Sequence, residues 1–301
     1  MQVIEPLTIT NTLLTSSTVP ENDYAEWSSA TTYSLGDNVI VIGTTHKVYE
    51  SAANSNLNND PITDDGTYWI EVSATNRWKA FDQKISDPVS QLNSIQYVIT
   101  TTNEAVNTMA FFGLEADSVR VQMVSDSVTV HDETYTTQDN SGIIDWYTYF
   151  FEPADIKETE ILITDLPNYP SATITITVTD TGNTVKIGQM VLGKINTLGV
   201  TLYDTQIGIE DFSRKDRDTF GNPIIIERAF AQTADFEVRL TTLEARRIQR
   251  LLSKYRSTPI VWIGNTDTRY GLLIYGFYTE FSINLSTPSA SYATIEVEGL
   301  T

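Results

Sequence analysis

The sequence predicts a mainly β protein with one packed helix. Only 19% of the 301 residues are charged, while Thr, Ser, Ile, Val and Tyr are plentiful, a composition typical of half-buried strands. Short apolar or alternating runs recur between clusters of turn residues, and one segment has convincing helical periodicity. Because 41% of the residues are hydrophobic, the length allows two or three domains that each bury an interior.

Residues 1–23 are predicted to form an extended N-terminal arm or an edge strand rather than a domain. They are rich in Thr and Ser, their apolar side chains are scattered, and a Pro-Glu-Asn-Asp stretch occupies 20–23. We therefore expect this segment to act as a tether.

A small β domain is predicted over residues 24–72. Residues 38–42 and 46–51 are typical of two strands joined by a turn at Gly43. The polar stretch 54–66 holds several Asp and Asn residues, but their spacing does not match a calcium-binding EF-hand loop. An Asn/Asp-rich turn is the favoured interpretation of this stretch.

Residues 73–195 predict a two-sheet β-sandwich, because strand follows strand at the short spacing that is typical of such folds. Alternation is clearest between Thr173 and Val178, where the apolar side chains fall on one face. The predicted strands cover residues 94–100, 109–114, 118–124, 146–151, 161–166, 172–178 and 185–193.

Residues 196–301 predict a β-sheet unit with a helix packed against it. Thr241 and Glu244 have the spacing of a capping box, so a helix is expected over about residues 241–256. Its apolar face consists of Ile248, Leu251, Leu252 and Tyr255. The strands expected around it cover residues 198–203, 224–230, 234–240, 260–263, 272–274, 277–285 and 293–297.

The formal charge of −20 is unevenly distributed. Residues 1–195 hold 8 basic and 26 acidic side chains, whereas residues 196–301 hold 11 and 13. An acidic exterior disfavours nucleic acid and anionic membrane as partners, because binding to phosphates depends on clustered Lys and Arg, and nucleic-acid binding is excluded as the main role. The nearly neutral last part is instead expected to contact other proteins.

Enzyme activity is not expected. The chain has no cysteine, and neither His46, in a predicted strand, nor His131, in an expected polar loop, lies in a catalytic motif. No nucleotide-binding or metal-binding spacing occurs, so we expect neither cofactor nor metal. A pair of carboxylates acting on a glycan stays open as an alternative, since 39 acidic residues could supply one in space.

No stretch approaches the roughly 20 apolar residues that a membrane span needs, and the N-terminus lacks the pattern of a signal peptide. We therefore expect a chain that is soluble as made and does not insert into a membrane.

The first domain carries an ordered set of rings and turn residues. A Tyr-x-x-Gly-Asp-x-Val string at 33–39 follows Trp27, and Tyr49, Pro61 and Trp69 complete the set. This pattern resembles the small chitin-binding-type carbohydrate module found on polysaccharide-degrading enzymes and on phage tail proteins. The resemblance implies that flat rings stack on the C–H faces of a glycan. The candidate stacking residues are Trp27, Tyr33, Tyr49 and Trp69.

The alternative role for these four rings is the core of the domain, because so small a domain needs large side chains to build an interior. Where members of the family usually place a further ring, residues 51–56 of this sequence contain none. Core and sugar contact therefore both stay open.

The second domain resembles the galactose-binding-like jelly roll. The residues that carry the likeness are Trp78, Phe81, Asp82, Trp146, Tyr147 and the closing run 187–193. Such domains bind sugars, bind calcium or join proteins. Trp146 and Tyr147, which precede an expected strand at 149–151, are candidate stacking residues, with burial between the sheets as the alternative.

The third segment resembles small tail-tip and baseplate components of tailed bacteriophages. The stretches that carry this likeness are 211–216, 220–222, 259–262 and 295–300. The resemblance implies a virion component, assembled in the host cytoplasm in several copies and anchored to other tail proteins through residues 196–301. Its β modules would then meet a host-surface polysaccharide. A purely structural role as cement between tail subunits is the alternative.

Overall fold

The structure, a computed structural model, describes residues 1–138, 146–151, 157–217, 219–241, 243–265, 272–287 and 290–300. It confirms the mainly β class, with 53% of the residues in strands and 6% in helical segments. No helix within these ranges is both long enough and apolar enough to cross a membrane.

Strands dominate the described residues from one end of the chain to the other. They are β1 (Gln2–Pro6), β2 (Leu14–Ser17), β3 (Thr32–Tyr33), β4 (Asn38–Val41), β5 (Lys47–Ser51), β6 (Asn56–Leu57), β7 (Trp69–Ala74), β8 (Val89–Thr101), β9 (Thr108–Phe112), β10 (Ser118–Ser125), β11 (Val128–Thr136), β12 (Ile161–Ile163), β13 (Ala172–Ile187), β14 (Gln189–Thr197), β15 (Val200–Thr201), β16 (Gln206–Asp211), β17 (Arg214–Arg217), β18 (Pro223–Ile226), β19 (Phe230–Leu240), β20 (Ile260–Ile263), β21 (Leu273–Asn284) and β22 (Ser291–Gly299). The helices are α1 (Trp146–Phe151) and α2 (Ala245–Lys254), and a 3₁₀ turn covers Lys79–Phe81.

A two-sheet sandwich spans most of residues 73–195 and takes β2 from the N-terminal segment. Its five-stranded sheet has the order β11-β10-β13-β8-β2, and β12, β9 and β14 lie in the opposing sheet. Every second residue of β13 from Ala172 to Asp180 is buried, because strand side chains alternate between the two faces. Apolar side chains of both sheets meet in one core, which includes Tyr97 and Phe111.

The first strand lies in the middle of a ten-stranded sheet. The order of this sheet is β12-β9-β14-β1-β20-β21-β22-β19-β15, with β16 also paired to β19. Val3 and Ile4 are both buried, in two different core clusters. Strand β1 is therefore neither a tether nor an edge strand, whereas β2 of the same segment lies at the edge of the five-stranded sheet, as the sequence suggested. Because both edges of β1 are hydrogen-bonded, it joins the sandwich and the C-terminal unit into one continuous sheet.

Close packing fixes β1 in this position. Gly193 of β14 lies opposite Pro6, and a side chain on Gly193 would overlap the carbonyl oxygen of Glu5. The Glu5 carboxylate accepts hydrogen bonds from Lys254 and Tyr255 at the end of α2. These two bonds, that of Lys254 first, lower the pKa of Glu5. The strand is thus bound through both its backbone and a side chain.

Helix α2 packs against the C-terminal part of the ten-stranded sheet. Its side chains Ile248 and Leu252 are buried and share a core cluster with Tyr255, Phe236 and Trp262. The predicted helix and its apolar face are thus present.

The start of α2 differs from the predicted capping box. The helix begins at Ala245, and Glu244 occupies the N-cap position without a side-chain cap. The Thr241 hydroxyl instead donates to the Glu244 carboxylate at 2.7 Å. The Glu244 carboxylate also accepts a hydrogen bond from the backbone of Thr241, but Glu244 itself provides no side-chain cap for the first turn.

Two local predictions in the sandwich are wrong. Residues 146–151, predicted as a strand, form helix α1, in which Trp146 and Phe150 lie one turn apart. Aromatic residues favour strands through packing on sheet neighbours, so the same run can form a helix where such neighbours are absent. His131, expected in a polar loop, lies in β11, the outermost strand of the five-stranded sheet.

The small domain combines the three-stranded sheet β4-β5-β7 with the pair β3-β6. Gly43, in the turn between β4 and β5, has a φ of +87°, a conformation that glycine adopts readily. In the polar stretch that follows, Asp60, Asp64 and Asp65 each accept a hydrogen bond from the backbone N–H two residues further on. Such bonds are typical of the Asx turns that the sequence favoured here.

Candidate functional site

Three of the predicted sugar-stacking rings build the core of the small domain. Tyr33, Tyr49 and Trp69 are 8%, 6% and 3% exposed and pack together with Val39. The rings of Tyr33 and Trp69 meet edge to face, with centroids 5.1 Å apart. Trp69 also donates its indole N–H to the carbonyl oxygen of Asn59 at 2.9 Å. Because the domain's own residues enclose these faces, a sugar ring cannot stack on them in this conformation.

The fourth ring of this domain, Trp27, is half-buried against the same cluster. Its backbone N–H donates to the carbonyl oxygen of Ile40 at 2.9 Å, which fixes Trp27 beside β4. A domain of this size has few other large side chains with which to fill its interior. The geometry therefore favours the core role for all four rings.

The two predicted rings of the sandwich have the opposite environment. Trp146 and Tyr147 lie on α1 and are 77% and 67% exposed. The indole of Trp146 stacks on the ring of Phe150, with centroids 6.1 Å apart and planes inclined by 19°. The structure thus does not unite the six predicted residues: four belong to one small core, and two lie on an exposed helix of another domain.

A feature that the sequence patterns did not reveal is a long β-hairpin in the C-terminal unit. Strands β16 and β19 pair as far as Asp211 and Phe230, and β17 and β18 continue the hairpin beyond this point. We call this extension, residues 212–229, the arm. All residues of β17 and β18 are exposed, and in the described structure these strands pair only with each other.

The arm and the strands at its base expose many large apolar side chains. Ile225, near the middle of β18, is 67% exposed. The other exposed apolar side chains of the hairpin are Ile207, Ile209, Phe212, Phe220, Ile224, Ile226 and Phe230. Clustered apolar surface on this scale is typical of a protein contact site, whereas isolated exposed apolar residues are ordinary.

The arm also carries charged side chains of both signs, with one more basic than acidic side chain. It carries Arg214, Lys215, Arg217 and Arg228 against Asp216, Asp218 and Glu227. Within the arm Arg214 pairs with Asp216 at 2.5 Å, and Lys215 reaches Asp211 at its base at 2.8 Å. The hydrogen bond from Lys215 is the main reason why the pKa of Asp211 lies well below its usual range. With four basic and three acidic side chains, the arm differs from residues 1–195, in which acidic side chains predominate.

A cleft of about 330 Å³ lies where the sandwich, the C-terminal sheet and the base of the arm meet. It is lined by the buried rings of Phe112 and Tyr275, which stack with centroids 5.6 Å apart, and by Phe230 of the arm's base. The carboxyl group of Glu160 also lines the cleft, and the side-chain amide of Gln232 donates to it at 3.3 Å. Burial raises the pKa of Glu160 to about 7.

A hairpin with exposed isoleucines and basic side chains, placed beside an apolar cleft, suits docking against another protein surface of acidic character. A scan against protein-family models and a search of curated proteins find no match for the chain. The function is therefore inferred from the sequence and from this geometry.

Proposed function

We propose that the protein is a non-enzymatic structural subunit of a bacteriophage tail, present in several copies. The observation that carries the proposal is the arm, whose apolar side chains are exposed on a hairpin that pairs with no other strand of the described chain. Burial of such surface at an interface contributes about 25 cal/mol per Å² of apolar area. The arm is therefore an element that gains its packing from a neighbouring subunit.

The partner that fits the arm best is the acidic part of a second copy. Residues 1–195 hold 26 acidic against 8 basic side chains, whereas basic side chains outnumber acidic ones in the arm. Opposite charges steer such surfaces together and fix their register. Since the arm and the acidic surface are different patches, the contact is heterologous and generates a closed ring or a filament. Rings of identical subunits are what we expect of a tail component.

In this proposal the C-terminal unit anchors the protein to its neighbours in the virion, after assembly in the host cytoplasm. The sandwich and the small domain, which hold most of the acidic side chains, would offer the surface on which the arm of the neighbouring copy docks. Other tail proteins would contact the surfaces of the ring that the arm leaves open.

The arm can be tested through the oligomeric state of the full chain. Native mass spectrometry and light scattering over a range of concentrations should show oligomers that dissociate as salt screens the charged contact. Ile225→Asp should shift the population to monomers, because the new carboxylate would have to be buried at the interface. Leu285→Asp is the matched control, since Leu285 is 66% exposed but lies outside the arm. A wild-type chain that stays monomeric, or an Ile225→Asp chain that assembles normally, would overturn the proposal.

Contact with a host-surface polysaccharide is a second candidate function, and the exposure of helix α1 favours it. Trp146 and Tyr147 present large rings at the surface of the sandwich, and such rings stack on the C–H faces of sugars. Several copies in one assembly would raise the avidity of a weak contact without any further interaction.

A further inference from the structure

One edge of the sandwich carries a cluster of potential metal ligands that the proposed function does not use. His131, Glu133 and Tyr135 alternate along β11, so their side chains lie on the same face of the strand. Asp165, two residues beyond the end of β12, approaches them from the opposing sheet. The ligand atoms of His131, Glu133 and Asp165 all lie within 4.8 Å of one another.

The hydroxyl group of Tyr135 lies between these three side chains. It is 3.4 Å from Nε2 of His131, 3.3 Å from Oε2 of Glu133 and 3.1 Å from Oδ1 of Asp165. A phenol carries one proton and can donate it to only one acceptor at a time. At least one of the two carboxylates therefore keeps an unneutralised charge that only solvent or a cation can balance.

The protein does not supply a basic side chain for this purpose in the part that the structure describes. The neighbouring Asp132, on the other face of β11, accepts two hydrogen bonds from Arg120, at 2.8 and 2.7 Å. Arg120, the basic side chain on the strand next to β11, is thus bound to Asp132 rather than to the cluster. Glu133 and Asp165 remain exposed and form no ion pair with a described Lys or Arg.

We propose that His131, Glu133 and Asp165 bind a divalent transition-metal ion of the Mn²⁺ or Zn²⁺ type. An imidazole beside two carboxylates favours these ions over Mg²⁺ and Ca²⁺, which prefer oxygen ligands alone. Metal–ligand distances of about 2.0–2.2 Å require the three side chains to close by roughly an ångström, which rotation of exposed carboxylates supplies. Tyr135 would then donate to a ligating carboxylate and hold it in place.

The position of the cluster indicates what the ion does. β11 is the outermost strand of the five-stranded sheet, and β12 is the outermost strand of the opposing sheet. An ion held by both sides would clip the two sheets together at the edge of the sandwich. Because the ligands meet only in the folded chain, metal binding would stabilise the native state.

The test uses the full chain after treatment with a chelator. Mn²⁺ is added in the presence of about 150 mM salt, which screens attraction to the acidic surface, and free Mn²⁺ is measured by electron paramagnetic resonance. Zn²⁺ binding is measured by calorimetry. We expect one ion per chain and a higher melting temperature in its presence. His131→Ala and Asp165→Asn should each weaken binding by about tenfold or more and remove the shift in melting temperature.

Asp132→Asn is the matched control, because it removes an acidic side chain from the other face of the same strand. Its metal affinity should stay close to that of the wild type. Circular dichroism of the metal-free variants shows whether each one folds. Asp165→Asn is the more conservative variant, because it keeps the size of the original side chain. Absence of stoichiometric binding to the wild type, unchanged affinity in both ligand variants, or tighter binding of Ca²⁺ than of Mn²⁺ would overturn the proposal.

Discussion

Replacement of Glu160 by glutamine tests whether the cleft at the base of the arm buries an ionisable carboxyl group. Burial raises the pKa of Glu160 from 4.5 to about 7. Between these pH values the unfolded chain releases a proton that the folded protein keeps. The stability that this proton provides is complete below about pH 4.5 and is lost as the pH rises through 7. A difference of about 2.5 pH units corresponds to up to about 3 kcal/mol in the free energy of unfolding.

Glutamine keeps the length of the side chain, can still accept the hydrogen bond from Gln232, and does not ionise. The free energy of unfolding of Glu160→Gln should therefore exceed that of the wild type at pH 8 by up to about 3 kcal/mol, and approach it near pH 5. Urea unfolding followed by tryptophan fluorescence at several pH values measures this difference. Glu104→Gln, at an exposed carboxyl group, is the control and should follow the wild-type pH dependence. If Glu160→Gln loses as much stability as the wild type between pH 5 and pH 8, the carboxyl group is solvated and the reasoning fails.

Two further predictions concern the insertion of β1 and the rings of α1. Gly193→Ala should lower the free energy of unfolding by about 2 kcal/mol, because the new methyl group would overlap the Glu5 carbonyl oxygen and a backbone atom cannot move aside cheaply. Urea unfolding measures this, and an unchanged midpoint would show that β14 and β1 are not so closely packed. The double variant Trp146→Ala with Tyr147→Ala should lose binding to host polysaccharide on a glycan array, whereas Tyr203→Ala, at a fully exposed ring elsewhere, should keep it. Equal binding by all of these proteins would remove α1 as the glycan contact.

Local sequence patterns were sufficient to predict the buried faces of single strands and helices, because the repeat of apolar residues depends only on the geometry of that element. The alternation from Thr173 to Val178 predicts the buried face of β13, and the spacing from Ile248 to Tyr255 predicts the face of α2. Both depend only on the geometry of a strand or a helix. The start of α2 could not be predicted in the same way, because Thr241 and Glu244 can bond either to the helix backbone or to each other.

Whether the candidate site residues are buried or exposed was harder to predict from the sequence. Trp69 and Trp146 are the same residue type beside other aromatic residues, yet one is enclosed in a core and the other is exposed on a helix. A pattern shows that a large ring is present, but its neighbours in space decide whether a face is available. The arm is a similar case, because Ile224, Ile225 and Ile226 form a run typical of a buried strand but are exposed in the hairpin.

The sequence by itself determined the mainly β class, the position of the main helix and the contrast between an acidic first part and a nearly neutral last part. Only the tertiary structure decided that β1 lies between the sandwich and the C-terminal sheet, that Glu160 is half-buried in a cleft, and that Asp165 meets His131 and Glu133. Every strand residue other than proline offers the same backbone N–H and C=O groups, so the sequence of a strand does not specify its partner. Burial, ion pairing and metal ligation then depend on residues that are distant in the chain, and only folding brings these together.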